Sequence, residues 1–138
     1  MEEVINNTLA GATYKTPTFN LNGMECDAKC VKVYDGDTAT FVFEPFAGVG
    51  LFKFSCRMLG YNSAEMRSKS AAEVASAYKS QIALSEKIMN KVVRLQVGKF
   101  DKYGRPLVIV YADGLNLNEW MIANKYGEPY TGAGEKKW

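Results

Sequence analysis

From Ala28 to about Leu59 hydrophobic and polar positions alternate with a period of two, and a helical period appears only after residue 70. From Ala28, residues Cys30, Lys32 and Tyr34 alternate with Val31 and Val33, and Asp35-Gly36 supplies a two-residue turn. The return strand, Thr38 to Glu44, sets Ala39, Phe41 and Phe43 on one face and Thr38, Thr40 and Val42 on the other, as a half-buried barrel strand requires. Pro45 to Gly50 breaks it. A third strand is expected from Leu51 to about Leu59, with Phe52, Phe54 and Cys56 on one face and Arg57 on the opposite one. Gly60 to about Lys69 reads as irregular.

Ser70-Ala71-Ala72-Glu73 has the form of a capping box, in which the serine hydroxyl accepts from the third-position amide and the glutamate returns to the cap. The spacing predicts a helix from there to Asn90 or Lys91, with Val74, Ala75, Tyr78, Ile82, Ser85, Ile88 and Met89 along its apolar face. Val92 to Val97 and Pro106 to Tyr111 are the fourth and fifth strands, the latter too β-branched for a helix. Asp113-Gly114 turns the chain into a short second helix, Asn116 to about Lys125. The order β-β-β-α-β-β-α is compatible with a mainly β, α+β fold: a five-stranded OB barrel with one main helix and a short second helix. Residues 1–23, rich in Asn, Thr and Gly, read as an N-terminal arm with at most one short strand, residues 24–130 as the domain, and 131–138 as a flexible basic tail.

With 138 residues, 47% hydrophobic and 23% charged, the chain has room for one core of ordinary size. Lys plus Arg exceed Asp plus Glu by only 17 to 15, so any basic surface must be a local patch. Met1-Glu2-Glu3-Val4 is acidic where a secretory signal starts basic, and no stretch approaches a membrane span. An intracellular, cytoplasmic protein without membrane partners is expected. The odd count of cysteines, Cys26, Cys30 and Cys56, fits a reducing compartment. The Cys26 to Cys30 spacing lacks the four ligands of a structural zinc site, since the chain has no histidine. That absence also removes every mechanism with a histidine base. Carboxylates, arginines, lysines and tyrosines are left to carry any chemistry, while cysteines and methionines are assigned to the core.

Three separated stretches, Tyr34-Asp35-Gly36-Asp37-Thr38, then Arg57-Met58-Leu59-Gly60-Tyr61-Asn62-Ser63-Ala64-Glu65, then Asp101-Lys102-Tyr103-Gly104-Arg105, resemble the staphylococcal nuclease family. With Tyr111-Ala112-Asp113-Gly114 and Asn118-Glu119 they run in the family's order from about residue 28 to about residue 126. The resemblance implies a calcium-dependent endonuclease that attacks phosphodiesters of DNA or RNA with water and holds phosphate between two arginines. On this reading Arg57 and Arg105 are the phosphate clamps, and Glu65 positions or deprotonates the water. Asp37, with Asn62 and Ser63, forms the metal site, for calcium or another hard divalent cation such as magnesium. Lys102 and Tyr103 contact the nucleotide, and Tyr130 matches a tyrosine that stacks on a base. The residue types suit those roles: hard cations take oxygen ligands, and arginine offers phosphate a permanently charged fork.

Two features depart from the family pattern. A second aspartate followed by Thr-Pro-Glu is usual after the Arg57 strand, whereas here Asn62 is followed by Ser63-Ala64-Glu65. The lost negative charge is expected to weaken metal binding. At the carboxyl end many relatives continue into a third helix. Here Tyr130 to Trp138 carries two lysines between aromatics, which suits an arm near nucleic acid. The alternative reading is a catalytically weakened OB module that binds nucleic acid or protein.

Overall fold

Alternation at period two becomes β structure because each strand can bury one face, and the buried faces meet only if the sheet curls. In the computed structural model, which describes residues 8–130, the elements are β1 (Glu25–Asp35), β2 (Thr38–Phe43), β3 (Phe52–Met58) and β4 (Tyr61–Asn62), then α1 (Ala71–Ile88), β5 (Val92–Phe100) and β6 (Pro106–Ala112), then β7 (Leu115–Asn116), α2 (Leu117–Ala123) and β8 (Glu128–Pro129). Strands pair in the order β3-β2-β1-β5-β6, and a parallel pairing of β3 with β6 closes the ring. The result is a closed five-stranded mixed barrel of OB type, which leaves no long sheet edge unpaired. β7 extends β6, and β4 pairs with β8 as a separate ribbon. The basic tail at 131–138 and the acidic start at 1–7 lie outside the described residues.

Cys30, Ala39, Phe41, Cys56, Leu95, Val108 and Val110 fill the barrel interior with no exposed surface. Phe54 stacks on Phe43 at 4.3 Å between ring centroids, which fixes the inward side of β3. Phe52 lies on the expected face with Phe54 and Cys56 but is not enclosed. It pairs with Phe43 but lies at the end of the strand, beyond the packed interior, and is half exposed. Strand β1 also departs from simple alternation. Register shifts between Cys30 and Lys32 and between Val33 and Asp35 change the phase, so Cys30 and Val33 are buried while Lys32 and Tyr34 are exposed. The turn that follows is Gly36-Asp37, one residue later than Asp35-Gly36.

Ser70 caps α1 as expected, its Oγ accepting from the Glu73 amide at 3.2 Å. The face that α1 buries is different from the one its largest apolar residues suggest. Ala77, Ser80, Ala83, Leu84 and Ile88 are buried, whereas Tyr78 and Ile82 are each 53% exposed. Closeness decides this: a β carbon on Gly36 would lie 2.5 Å from Ser80 Cβ, so only small side chains let the helix seat against the β1–β2 turn. Ser80 satisfies its own buried hydroxyl by donating to the Tyr126 carbonyl at 2.7 Å.

The segment expected to be irregular contains the short strand β4, and β5 continues to Phe100. Residues 8–23 contain a helical turn at 8–10 and no strand. Leu21 is buried, and Gly23 and Met24 exchange backbone hydrogen bonds with Val97, so the last residues of the arm belong to the core. Buried Asn118 on α2 donates to the Leu59 and Val108 carbonyls at 2.8 and 2.9 Å and accepts from the Val110 amide. That side chain locks α2 to β6 and to the end of β3, the strand that carries Arg57.

Candidate active site

The tight β1–β2 turn places Asp37 against the loop that leaves β3. Tyr61 donates its hydroxyl to the Gly36 carbonyl at 2.7 Å, and the Ser63 amide donates to Asp37 Oδ2 at 2.8 Å. The Thr38 hydroxyl donates to Asp37 Oδ1 at 3.2 Å. Asp37 is thereby buried with its carboxylate held from two sides. Arg57 pairs with Thr38 across β2 and β3, and its Nη2 stands 3.3 Å from Asp37 Oδ2. The same nitrogen donates to Asn62 Oδ1 and lies at 3.5 Å from the Tyr61 carbonyl.

Arg105 comes from the β5–β6 hairpin. Asp101 organises that loop: its Oδ1 accepts from the Tyr103 and Arg105 amides, both at 2.9 Å, and its Oδ2 takes the Arg105 Nε at 2.8 Å. With Nε engaged, the terminal nitrogens of the guanidinium remain to meet an anion. Glu65 is exposed at the loop beyond β4, and its amide donates to Glu73 Oε2 at 3.3 Å, which ties the loop to the first turn of α1.

These side chains meet in one pocket of about 180 Å³, lined by Asp35, Asp37, Arg57, Ser63, Glu65 and Arg105 together with Tyr34, Thr38 and Ala64. Residues 57 and 105, far apart in sequence, are joined through the parallel β3–β6 pairing, where Arg57 faces Leu107. Asn62, Lys102, Tyr103 and Tyr130 do not line the pocket. Asn62 is buried beneath it, with its oxygen turned to Arg57. Lys102 and Tyr103 are exposed on the hairpin, where Lys102 and Arg105 flank the Tyr103 ring at 5.2 and 5.4 Å. Tyr130 is half-buried, and its amide donates to the Gly60 carbonyl beside the β4–β8 ribbon.

Sequence reasoning gave Asp35, Asp101 and Tyr34 no individual role and gave Glu73 only a part in the helix cap. Burial, then the adjacent Asp37 carboxyl, push the Asp35 carboxyl up to about 7, while the Asp37 amide and the Arg57 charge work against that rise. Its place two residues before Asp37 in an Asp-Gly-Asp turn is the signal that could have marked it. For Asp101 the signal is the four-residue spacing to Arg105, and for Glu73 the capping box itself.

The donor set bears on whether a hard cation fits. Among the described residues no three His, Cys, Asp or Glu side chains converge as a metal-binding group. Two neighbouring carboxylates, Asp35 and Asp37, do face one pocket, and Asp37 Oδ1 accepts only from Thr38 among the hydrogen bonds described. That chemistry fits a weak oxygen site whose remaining ligands are water, backbone carbonyl and substrate oxygens, rather than a protein cage.

A closed OB barrel with an arginine and carboxylate pocket at the mouth of β2 and β3 defines a nuclease-type fold. Residues 55–136 match the model of the staphylococcal nuclease homologue family, and the chain belongs to that family. Comparison with curated proteins gives no significant match. The matched span contains Arg57, Asn62, Ser63, Glu65, Lys102, Tyr103, Arg105 and Tyr130, and it begins after the Asp35 to Thr38 turn.

Proposed function

We propose that the protein is a metal-dependent endonuclease that hydrolyses phosphodiester bonds of DNA or RNA. The observation that carries this reading is the meeting of Arg57 and Arg105, one from β3 and one from the β5–β6 hairpin, with Glu65 in one small pocket. Two guanidinium forks on a phosphate stabilise the charge that grows on its oxygens in the transition state. Glu65, at the exposed edge, holds and deprotonates the attacking water. Asp37 and Asp35, with the carbonyl of Ser63 or Asn62, would hold calcium or magnesium, which when bound supplies further charge stabilisation at the phosphate. Lys102 and Tyr103 contact the flanking nucleotide from the hairpin, and Tyr130 stacks on a base. An intracellular role fits the reduced cysteines.

The test is cleavage of denatured DNA and of RNA by the purified chain with calcium, magnesium or manganese, with chelator as control. Metal-dependent cleavage supports the reading, and no cleavage with any of the three contradicts it. A second reading, an OB module that binds nucleic acid without cutting, is favoured by one observation: Asn62 gives its oxygen to Arg57, which keeps that arginine paired on its own protein. Oligonucleotide binding without cleavage in the same samples would select it.

A further inference from the structure

In a capping box the glutamate returns to the amide of the cap residue. The first half of that box forms at the start of α1, where Ser70 Oγ accepts from the Glu73 amide at 3.2 Å. The second half is rearranged. The Ser70 amide, which the glutamate would meet, donates to Ser68 Oγ at 3.0 Å, and Glu73 Oε2 accepts from the Glu65 amide at 3.3 Å. A carboxylate that the sequence assigns to the helix end is thereby placed on the backbone of a pocket residue eight positions earlier.

Glu65 follows a stretch that is fixed by burial. Ser63 and Ala64 are buried, and the Ser63 amide donates to Asp37 Oδ2 at 2.8 Å, whereas Glu65 is exposed where it lines the pocket. After it, the Ser68 amide closes a turn on the Glu65 carbonyl at 3.4 Å. Each residue has only two soft backbone dihedrals, so holding the Glu65 amide limits rotation about its N–Cα bond and sets the direction in which its side chain leaves. Glu73 is well placed to hold it. It lies in the first turn of α1, and that helix is seated by buried Ala77 and by Ser80 against Gly36.

We infer that Glu73 is a positioning residue for Glu65, its carboxylate diverted from the helix cap to aim the Glu65 side chain at the pocket. The inference rests on the proposed nuclease reading, in which Glu65 holds the attacking water, and it adds a residue outside the pocket lining on which that role depends. The experiment uses the full chain and takes two readings: amide exchange in chelator, and kcat and KM for denatured DNA or RNA with metal. The native protein, Glu73→Ala, Glu73→Gln, Ser70→Ala, Glu65→Gln and the double variant Glu65→Gln with Glu73→Ala are compared.

Glu73→Ala is expected to speed exchange of the Glu65 amide about tenfold while the Ser63 amide keeps its protection. It should also lower kcat about tenfold with KM changed less than about twofold, because a misplaced base is felt in the transition state. Glu73→Gln, whose side-chain oxygen can still accept from the Glu65 amide, keeps both readings near native. Ser70→Ala weakens the helix end by about 1 kcal/mol yet leaves kcat native. In the Glu65→Gln background, Glu73→Ala causes no further loss, as two residues acting through one group require. Unchanged Glu65 exchange in Glu73→Ala would overturn the positioning role and leave the nuclease reading standing. So would a fall in kcat as large in Glu73→Gln or Ser70→Ala as in Glu73→Ala, or a full further loss in the double variant. A native chain that cleaves neither substrate with any of the three metals would overturn both.

Discussion

Gly36 shows how a single backbone position decides whether the pocket forms. Its missing side chain admits Ser80 from α1 and Ser63 from the loop after β4, where added carbon would lie 2.5 and 2.8 Å from their β carbons. Gly36→Ala should therefore cost about 1 to 3 kcal/mol by overpacking and displace Asp37 from the Ser63 amide. Chemical denaturation checks the first effect. The cysteines give a second expectation. Burial pushes the Cys30 and Cys56 thiols up from 9.0 to about 11 and about 12, while Cys26 is only half-buried. Native protein should label at Cys26 first, with the other two reacting only on unfolding. Because both folded values lie above the unfolded one, the stability these thiols lend is complete below pH 9 and is lost as pH rises toward 12. Denaturation midpoints across that alkaline range should fall, and Cys56→Ala should flatten the fall. At this scale the meeting of Asp37, Arg57, Glu65 and Arg105 in one pocket was legible because each stands in a short motif. Asp35 was not, since an aspartate in a turn needs no function to explain it.

Among the elements, strands that bury large residues were read correctly from alternation, as in β2 with Phe41 and Phe43. The face of α1 was misread because small Ala77, Ser80 and Ala83 make its contact, and hydrophobic periodicity weighs Tyr78 and Ile82 more heavily. The bulged β1 was misread because its phase changes are a property of pairing, which a single strand does not display. The β5–β6 hairpin offers a direct test of how an element positions Arg105, the residue proposed as the second phosphate clamp. The Asp101 carboxylate accepts from the Tyr103 and Arg105 amides and from Arg105 Nε, which shapes the loop around Arg105. Asp101→Ala should remove amide-exchange protection at Tyr103 and Arg105 while leaving the β5 and β6 amides protected. If the nuclease reading holds, it should also lower turnover through a misplaced Arg105.

At the scale of the whole molecule, barrel closure is what turns distant motifs into a site. The parallel β3–β6 contact brings the Arg57 strand beside the Arg105 hairpin, and α1 clamps the turn that carries Asp37. The order of strands and helices was enough to anticipate the barrel, but the tie between Asn62 and Arg57 belongs to three dimensions. That tie gives the proposed metal site its distinguishing prediction. Asn62→Asp adds a second carboxylate beside Arg57, and it should tighten calcium binding and raise cleavage at low metal. Calorimetric titration with calcium is the check, and equal affinity in both proteins would separate residue 62 from the cation.

On the proposed function, Arg57, Arg105 and Glu65 act together on one phosphodiester. Its most direct test is single-turnover cleavage of denatured DNA and RNA by the native chain, Arg57→Lys, Arg105→Lys and Glu65→Gln at saturating metal. Each substitution should slow the chemical step on the order of a hundredfold, about 3 kcal/mol of transition-state stabilisation, with little change in substrate affinity for Glu65→Gln. Native rates in any of the three would remove that residue from the mechanism, and native rates in all three would contradict the account.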